Sequence, residues 1–316
     1  MKSNHLARCL GTLFAGLVAV SAPAETNVFA TRFEAVEGYD GAFTLVGQQG
    51  WLGEGTGGNG IVTNFIAGQG QQAYIGYFPP TDTSESDLFV WRPINFRPLA
   101  AGLPVVKFSV LMNIVDSSFG AWDYFQWRVY NLQTNRLFSL DFDNDSWVIS
   151  YQLDGTNQLV ATPLTLTNDQ SYLLTVTMDF ASNRWSATLN QQLLATNQPL
   201  TTVNADLSLG DIDAVWLIAN PELPGDNYML FDNYQITAES RSPLRPRLQL
   251  LGRTGDGQTL LRLTGPSATR FAIDATTNFT SWTPLKTNVT SDGSFDLIDT
   301  SATQSPQRFY RGRWVP

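Results

Sequence analysis

An alternation of aromatic and polar side chains runs through residues 122–130. Read as a β-strand, this segment places Phe125, Trp127 and Val129 on one apolar face. The opposite face interleaves rings with hydrogen-bonding groups, in the order Trp122, Tyr124, Gln126, Arg128 and Tyr130. Such mixtures suit sugars, because sugar C–H faces stack on rings while sugar hydroxyls need directional polar partners. The alternation predicts a glycan-binding face, and ordinary packing of large side chains under a loop is the alternative.

A second group with chemical potential is the acidic run Asp141, Asp143 and Asp145. Hard cations prefer several carboxylate oxygens close together, so the run resembles the start of a calcium loop. A helix–loop–helix calcium site would continue with glycine and glutamate at positions where this chain has Ser146 and Gln152. Two interpretations therefore stay open, a Ca²⁺ site or a strand that ends in an acidic turn. No other cofactor is predicted.

The first 24 residues have the pattern of a secretory signal peptide. Lys2 and Arg8 precede an apolar stretch over residues 10–20, and Ala-Pro-Ala at residues 22–24 is a small-residue cleavage pattern. The apolar stretch is shorter than the roughly 20 residues that cross a bilayer. We expect an exported protein without a membrane span that begins at Glu25 and resides outside the cell or at its surface.

Removal of this segment would also remove His5 and Cys9, the only histidine and the only cysteine in the sequence. Ser-His-Asp triads, Cys-His pairs and histidine-ligated zinc sites each need one of these residue types. The exported chain is therefore expected to lack all three. Carboxylate chemistry, and tyrosine or lysine acting as a base, remain available, and no residue is predicted to be catalytic.

The elements that would position these residues are predicted to be strands. Alternating aromatic, β-branched and polar runs are separated by Gly, Asn, Asp and Pro clusters, and no long helical period appears. Residues 105–115 alternate plainly, and residues 170–196 read as an antiparallel meander with turns at Asn183 and Asn190. We predict an all-β fold: an antiparallel, jelly-roll-like sandwich followed by a second, smaller β-sandwich domain.

The boundary between the two domains is predicted at residues 240–247, a segment with two prolines and no apolar periodicity. The domains are then residues 25–239 and 248–316. Residues 25–239 hold 7 basic and 23 acidic side chains, whereas residues 240–316 hold 10 basic and 5 acidic ones. The acidic excess argues against nucleic acid as a partner, because phosphate binding depends on clustered Lys and Arg. The sequence does not determine the oligomeric state.

Four short segments of the large domain are distinctive: Phe-Glu at 33–34, Gly-Trp at 50–51, Asn-Arg-Trp-Ser-Ala at 183–187 and Phe-Asp-Asn-Tyr at 231–234. Together they resemble the concanavalin A-like or laminin-G-like jelly-roll group over roughly residues 28–238. The resemblance implies the sandwich fold. Such folds serve binding and catalysis alike, so it implies no particular activity.

The last 70 residues or so carry three further segments: Ala-Thr-Thr-Asn-Phe-Thr-Ser-Trp at 275–282, Asp-Gly-Ser-Phe at 292–295 and Arg-Phe-Tyr-Arg at 308–311. They resemble a small β-module found at the C-termini of secreted bacterial proteins. What this resemblance implies is an accessory domain for adhesion, spacing or surface retention.

Two enzymatic alternatives stay open on a jelly-roll scaffold. A glycosidase needs two carboxyl groups about 5 Å apart, but Glu34 and Glu37 are three positions apart and would fall on opposite faces of a strand. A polysaccharide lyase needs groups that neutralise a uronate and a base such as tyrosine. Arg128 and Tyr130 are suitable residue types, although the signatures of known jelly-roll lyases are absent.

The leading hypothesis is a secreted, non-catalytic carbohydrate-binding or surface-associated protein. Its large sandwich would contact a polysaccharide or cell-surface glycan through residues 122–130. The alternatives are a carbohydrate-active enzyme, either lyase or hydrolase, and a structural protein of an envelope or matrix.

Overall fold

The computed structural model describes residues 25–241, 246–265, 269–290, 293–305 and 307–315. The predicted signal peptide, with His5 and Cys9, lies outside the described residues, and so do residues 242–245 of the predicted linker. Two short 3-10 helices are described, Ala35–Glu37 and Thr300–Gln304. No helix in the described part of the chain has the length and apolarity needed to span a membrane.

The described residues otherwise form 21 β-strands joined by turns. The first fifteen are β1 (Thr26–Thr31), β2 (Leu52–Glu54), β3 (Asn59–Thr63), β4 (Gln71–Gly76), β5 (Asp87–Trp91), β6 (Val105–Val115), β7 (Tyr124–Tyr130), β8 (Arg136–Asp143), β9 (Val148–Leu153), β10 (Leu159–Thr165), β11 (Ser171–Asp179), β12 (Arg184–Leu189), β13 (Gln192–Pro199), β14 (Asp211–Leu217) and β15 (Tyr228–Glu239). The last six are β16 (Arg247–Arg253), β17 (Thr259–Thr264), β18 (Thr269–Thr276), β19 (Thr283–Thr290), β20 (Ser294–Asp299) and β21 (Phe309–Trp314).

The first fifteen strands form two antiparallel sheets with the main hydrophobic core between them. One sheet has eight strands, in the order β13-β12-β11-β6-β15-β4-β3 with β1 also paired to β15. The other has seven strands, in the order β10-β9-β8-β7-β14-β5-β2. Many neighbours in each sheet are far apart in the sequence. The predicted all-β, antiparallel sandwich is confirmed.

The local patterns in the sequence explain several of these strands. Strand β6 buries every second side chain as an apolar row, which consists of Val106, Phe108, Val110, Met112 and Ile114. Strands β11, β12 and β13 form the predicted meander. Its turns contain Asn183, Asn190 and Gln191 with positive φ angles of 54°, 49° and 68°. Asparagine suits these turns because its short polar side chain tolerates the left-handed region.

Aromatic rings join the two sheets of the sandwich through the core. Trp127 of β7 lies 5.5 Å from Phe231 and 5.2 Å from Phe108, measured between ring centroids. Tyr234 of β15 is fully buried, and its hydroxyl donates to the carbonyl of Ile212 in β14 at 3.0 Å. Because these rings hold the inward face of β7 and β14, the outward face of both strands is fixed as well.

The last six strands form two three-stranded antiparallel sheets, β16-β17-β20 and β19-β18-β21. They enclose a separate small core of Leu261, Leu263, Phe271, Ile273 and Phe295. The predicted second, smaller β-sandwich is therefore present, whereas the exact domain boundary stays a prediction.

The loop that precedes β7 is fastened by a buried carboxylate. Asp123 is 1% exposed and accepts hydrogen bonds from the Trp216 indole at 2.9 Å and from the main-chain N–H groups of Ala219 and Gly225 at 2.8 and 2.9 Å. The Asn227 side chain also bonds the main chain of Asp123. This clasp ties the start of β7 to the segment that follows β14, and so fixes where the outer face of β7 begins.

We expect Asp123→Ala to lower the free energy of unfolding by about 3 kcal/mol, because it leaves two buried donors, the Trp216 indole and the Gly225 N–H, without an acceptor. Denaturant unfolding followed by tryptophan fluorescence measures the change. Asp145→Ala is the control, since the exposed Asp145 side chain accepts none of the described hydrogen bonds. Equal stability of the two variants would contradict the role of the clasp.

Candidate glycan-binding face

Strand β7 lies in the middle of the seven-stranded sheet, between β8 and β14. Its apolar side chains Phe125, Trp127 and Val129 are buried in the core. The alternate side chains therefore lie on the outer face of the sheet, and they are Tyr124, Gln126, Arg128 and Tyr130. Four of the five residues predicted to bind a ligand are thus brought together on one face.

Trp122, the fifth predicted residue, lies before the strand begins. Its side chain is 37% exposed, and its indole N–H donates to Asp116 at 2.8 Å. Tyr124, the first residue of β7, is also 37% exposed. Trp122 lines neither of the two cavities described below, so the face that the structure builds starts at Tyr124.

A polar network crosses the centre of the outer face. The Arg128 Nε donates to Gln126 Oε1 at 2.6 Å, and an Arg128 terminal nitrogen lies 3.7 Å from the carboxylate of Asp87 on β5. The Gln126 side chain donates in turn to Asp141 of β8, which also accepts from the Ser139 hydroxyl at 2.8 Å. These bonds hold Gln126 and Arg128 as a ridge between two cavities.

The Tyr124 cavity lies on one side of this ridge and has a volume of about 180 Å³. Its lining mixes two rings and aliphatic side chains with carboxylate, amide and hydroxyl groups: Tyr124, Gln126, Asp141, Phe142, Asp143, Val148, Ser150, Leu159 and Leu217. Burial, with the nearby acidic side chains adding to it, raises the pKa of Tyr124 above its ordinary value. The Tyr124 hydroxyl therefore stays protonated and can donate a hydrogen bond.

The Trp91 cavity lies towards the other end of β7 and has a volume of about 300 Å³. It is lined by three rings and three carboxyl groups together with one hydroxyl: Phe89, Trp91, Tyr130, Glu54, Asp211, Asp213 and Thr134. The Phe89 and Trp91 rings lie 5.7 Å apart with their planes tilted by 33°. Side by side on β5, they form an aromatic wall suited to the apolar face of a sugar.

Asp211 and Asp213 form a hydrogen-bonded carboxyl pair in the Trp91 cavity. Burial, and then the charge of Asp211, raises the pKa of Asp213 to about 9, and the opposing effect of Arg128 is smaller. Burial also raises the pKa of Asp211. Asp213 therefore keeps a proton at neutral pH, and the pair shares it.

The structure does not bring Asp141, Asp143 and Asp145 together as a calcium site. Among the described residues, no group of three acidic, histidine or cysteine side chains is arranged to hold a metal ion. Asp143 instead accepts hydrogen bonds from the main-chain N–H groups of Asp145 and Ser146, at 2.9 and 3.1 Å, and so closes the turn after β8. The acidic turn, which was the alternative interpretation, explains the run.

Sequence reasoning missed the residues that the neighbouring strands supply to the Trp91 cavity. Phe89 and Trp91 alternate on β5, and Asp211 and Asp213 alternate on β14, so each pair carries a signal for one shared face. What the sequence does not reveal is that β14 pairs with β7 and that β5 pairs with the other edge of β14. Those pairings join strands that are more than 80 residues apart, as in the pair Asp213 and Arg128.

No family model matches the chain, and no curated protein matches its sequence. A solved sialidase is 9% identical with a TM-score of 0.43, over 65% of this chain and 22% of the sialidase chain. A carbohydrate esterase from Shiga toxin-encoding bacteriophage phi24B is 12% identical with a TM-score of 0.48, over 69% of this chain and 100% of its own. The seed lectin of Lotus tetragonolobus is 12% identical with a TM-score of 0.43, over 62% and 95% of the two chains. At these identities none of them indicates a ligand or an activity for this chain, so the function is argued from the site.

We expect the difference in unfolding free energy between Asp213→Asn and the wild type to rise with pH. The folded protein keeps the Asp213 proton up to about pH 9, whereas the unfolded chain releases it near the ordinary value of 3.8. This carboxyl group therefore lowers stability progressively as the pH rises between those two values, by at most ~1.4 kcal/mol per pH unit. Asp213→Asn does not lose stability in this way. Denaturant unfolding of both proteins at several pH values measures the difference in unfolding free energy.

Thr134→Ser is the control for this comparison, because it changes the same cavity without changing a titrating group. The difference in unfolding free energy between Thr134→Ser and the wild type should be the same at every pH. A constant difference for Asp213→Asn as well would refute the raised pKa.

Proposed function

We propose that the protein is a secreted carbohydrate-binding protein that contacts a polysaccharide or cell-surface glycan through the outer face of the seven-stranded sheet. The supporting observation is that Tyr124, Gln126, Arg128 and Tyr130 lie on one outward face that connects two cavities. Each cavity combines rings with polar groups, which is the composition that a sugar requires.

The dimensions of the face favour an extended glycan over a single sugar. Tyr124 and Tyr130 are six positions apart on β7, which corresponds to ~20 Å along the strand. A chain of sugar units lying along β7 would place one unit in the Tyr124 cavity and another in the Trp91 cavity. Arg128 and Gln126, held between them by the polar network, would meet the hydroxyls of the units that cross the ridge.

Hydrolysis is the less well supported alternative. The best carboxyl pair on this face is Asp211 and Asp213, which hydrogen-bond to each other. Glycoside hydrolysis needs the two groups about 5 Å apart or more, with the scissile bond between them. A pair in direct contact leaves no room for that bond.

A lyase mechanism fits the face no better. A tyrosine base requires a lowered pKa, but burial raises the pKa of both Tyr124 and Tyr130. Arg128, the group suited to neutralising a uronate, is already engaged by Gln126 and Asp87. These observations support a non-catalytic function. In this proposal the C-terminal strands β16–β21 serve as an accessory module.

We expect Trp91→Ala and Tyr124→Ala each to weaken glycan binding by about tenfold, because each removes a stacking ring from one cavity. Trp122→Ala should have a smaller effect, since Trp122 lines neither cavity and is bonded to Asp116. Affinity gel electrophoresis against a panel of neutral, acidic and amine-bearing polysaccharides, followed by calorimetry on the one retained, measures the change. Phe43→Ala is the matched control, because Phe43 is 66% exposed and lies in neither cavity.

Binding that is unchanged in both cavity variants, or retention by none of the polysaccharides, would contradict the proposal. The same incubations distinguish the enzymatic alternatives. New reducing ends would indicate a hydrolase, and new ultraviolet-absorbing unsaturated ends would indicate a lyase. A protein that folds stably and neither binds nor cleaves any glycan would fit a structural role.

A further inference from the structure

The Trp91 cavity contains carboxyl groups but no cationic side chain. Its acidic residues are Glu54, Asp211 and Asp213. None of the ion pairs found within the described ranges involves these three residues. Arg128, opposite Asp213 on the adjacent strand, bonds Gln126 and lies 3.7 Å from Asp87. Its charge offsets only part of the acidic character at Asp213. The cavity therefore favours a positively charged group over a neutral or negative one.

One oxygen in the cavity also lacks a hydrogen-bond donor. Asp213 is only 4% exposed, and its Oδ1 has no hydrogen-bond partner among the described residues. A buried acceptor without a donor is energetically costly, and donors on a bound ligand would remove that cost. An ammonium group offers three N–H donors together with a positive charge.

The walls of the cavity constrain what carries this ammonium group. Phe89, Trp91 and Tyr130 present aromatic surface around the acidic pair. Rings of this kind attract both cations and the apolar faces of sugars. A volume of about 300 Å³ is at the small end for a ligand pocket, which suits one sugar unit of a chain.

We propose that the Trp91 cavity is a subsite for a sugar that carries a protonated amine, such as a 2-amino-2-deoxyhexose unit of a polysaccharide. This inference rests on the proposed function, since it assigns a ligand class to one part of the same face. The ammonium group lies against Asp211 and Asp213, and the sugar ring lies against Trp91 or Tyr130. A uronate unit is disfavoured there, because its carboxylate would meet three carboxyl groups.

Three hexasaccharides with the same β-1,4 backbone test the proposal: one with free amines, one with N-acetylated amines and one with hydroxyls at the 2-position. Calorimetry in a mildly acidic buffer, where the free amines are protonated, should show about tenfold tighter binding of the amine form by the wild type. The bound ammonium group takes the place of the proton that Asp211 and Asp213 share, so both carboxyl groups are ionised in the complex. Asp213→Asn removes one of these charges and should abolish the preference, while it leaves the binding of the hydroxyl form nearly unchanged. The variant is close to isosteric, and circular dichroism checks its fold.

Two further variants separate a specific subsite from general attraction to an acidic protein. Glu54→Gln changes an exposed carboxylate at the edge of the cavity and should reduce the preference without affecting folding. Glu222→Gln makes the same change of charge on an exposed loop outside the cavity and should leave the preference intact.

The possible outcomes distinguish this inference from the proposed function. Glycan binding without an amine preference, or with a preference that Asp213→Asn and Glu222→Gln alter equally, would overturn the amine subsite and leave the glycan-binding face standing. If the protein bound no hexasaccharide and no polysaccharide of the wider panel, both proposals would fall. Selective loss of the preference in Asp213→Asn and Glu54→Gln would establish the subsite.

Discussion

The packing of Trp127 between the two sheets is the interaction on which the rest of the structure depends. Its indole contacts Phe108 of β6 and Phe231 of β15, and so it fixes which side of β7 faces the core. Side chains alternate along a strand, so this contact also decides which side chains of β7 face outward. A slip of one residue would bury Tyr124 and Arg128 and expose Trp127. Exposing this large ring and burying the charge of Arg128 would both lower the stability of the fold.

The outer face combines two kinds of polar group, which differ in whether all their hydrogen bonds are made within the protein. Gln126, Arg128 and Asp141 are bonded to one another and form a fixed ridge. Asp213 retains an oxygen without a donor, beside a carboxyl group with which it shares a proton. The first kind holds the face in one arrangement, whereas the second leaves an oxygen that could still accept a hydrogen bond. Both kinds are held on strands rather than on loops, which limits how far they can move.

The sequence predicts the local features of this site well and the long-range ones poorly. The alternation over residues 124–130, the meander with its turn at Asn183 and the all-β class all follow from patterns within a few residues. The positions of β14 beside β7 and of β5 beyond β14 do not, because both are set by strand pairings between distant segments. Phe89, Trp91 and Asp213 were therefore missed as site residues. Asp143 shows the reverse difficulty, since a carboxylate that closes a turn has the same local sequence pattern as one that ligates calcium. The ligand-binding role of residues 122–130 stays a prediction.

The hydrogen bond from Tyr234 to Ile212 has a consequence for the acidic pair. Ile212 lies between Asp211 and Asp213 in the chain, so the carbonyl that Tyr234 holds belongs to the residue that separates the two carboxyl groups. The opposite sheet thereby anchors the backbone of the pair from within. A rigid backbone at this point keeps the two carboxyl groups close even when both are ionised. The entropic cost of ordering them is met during folding. The specificity proposed for the outer surface would thus depend on a tyrosine that is fully buried in the core.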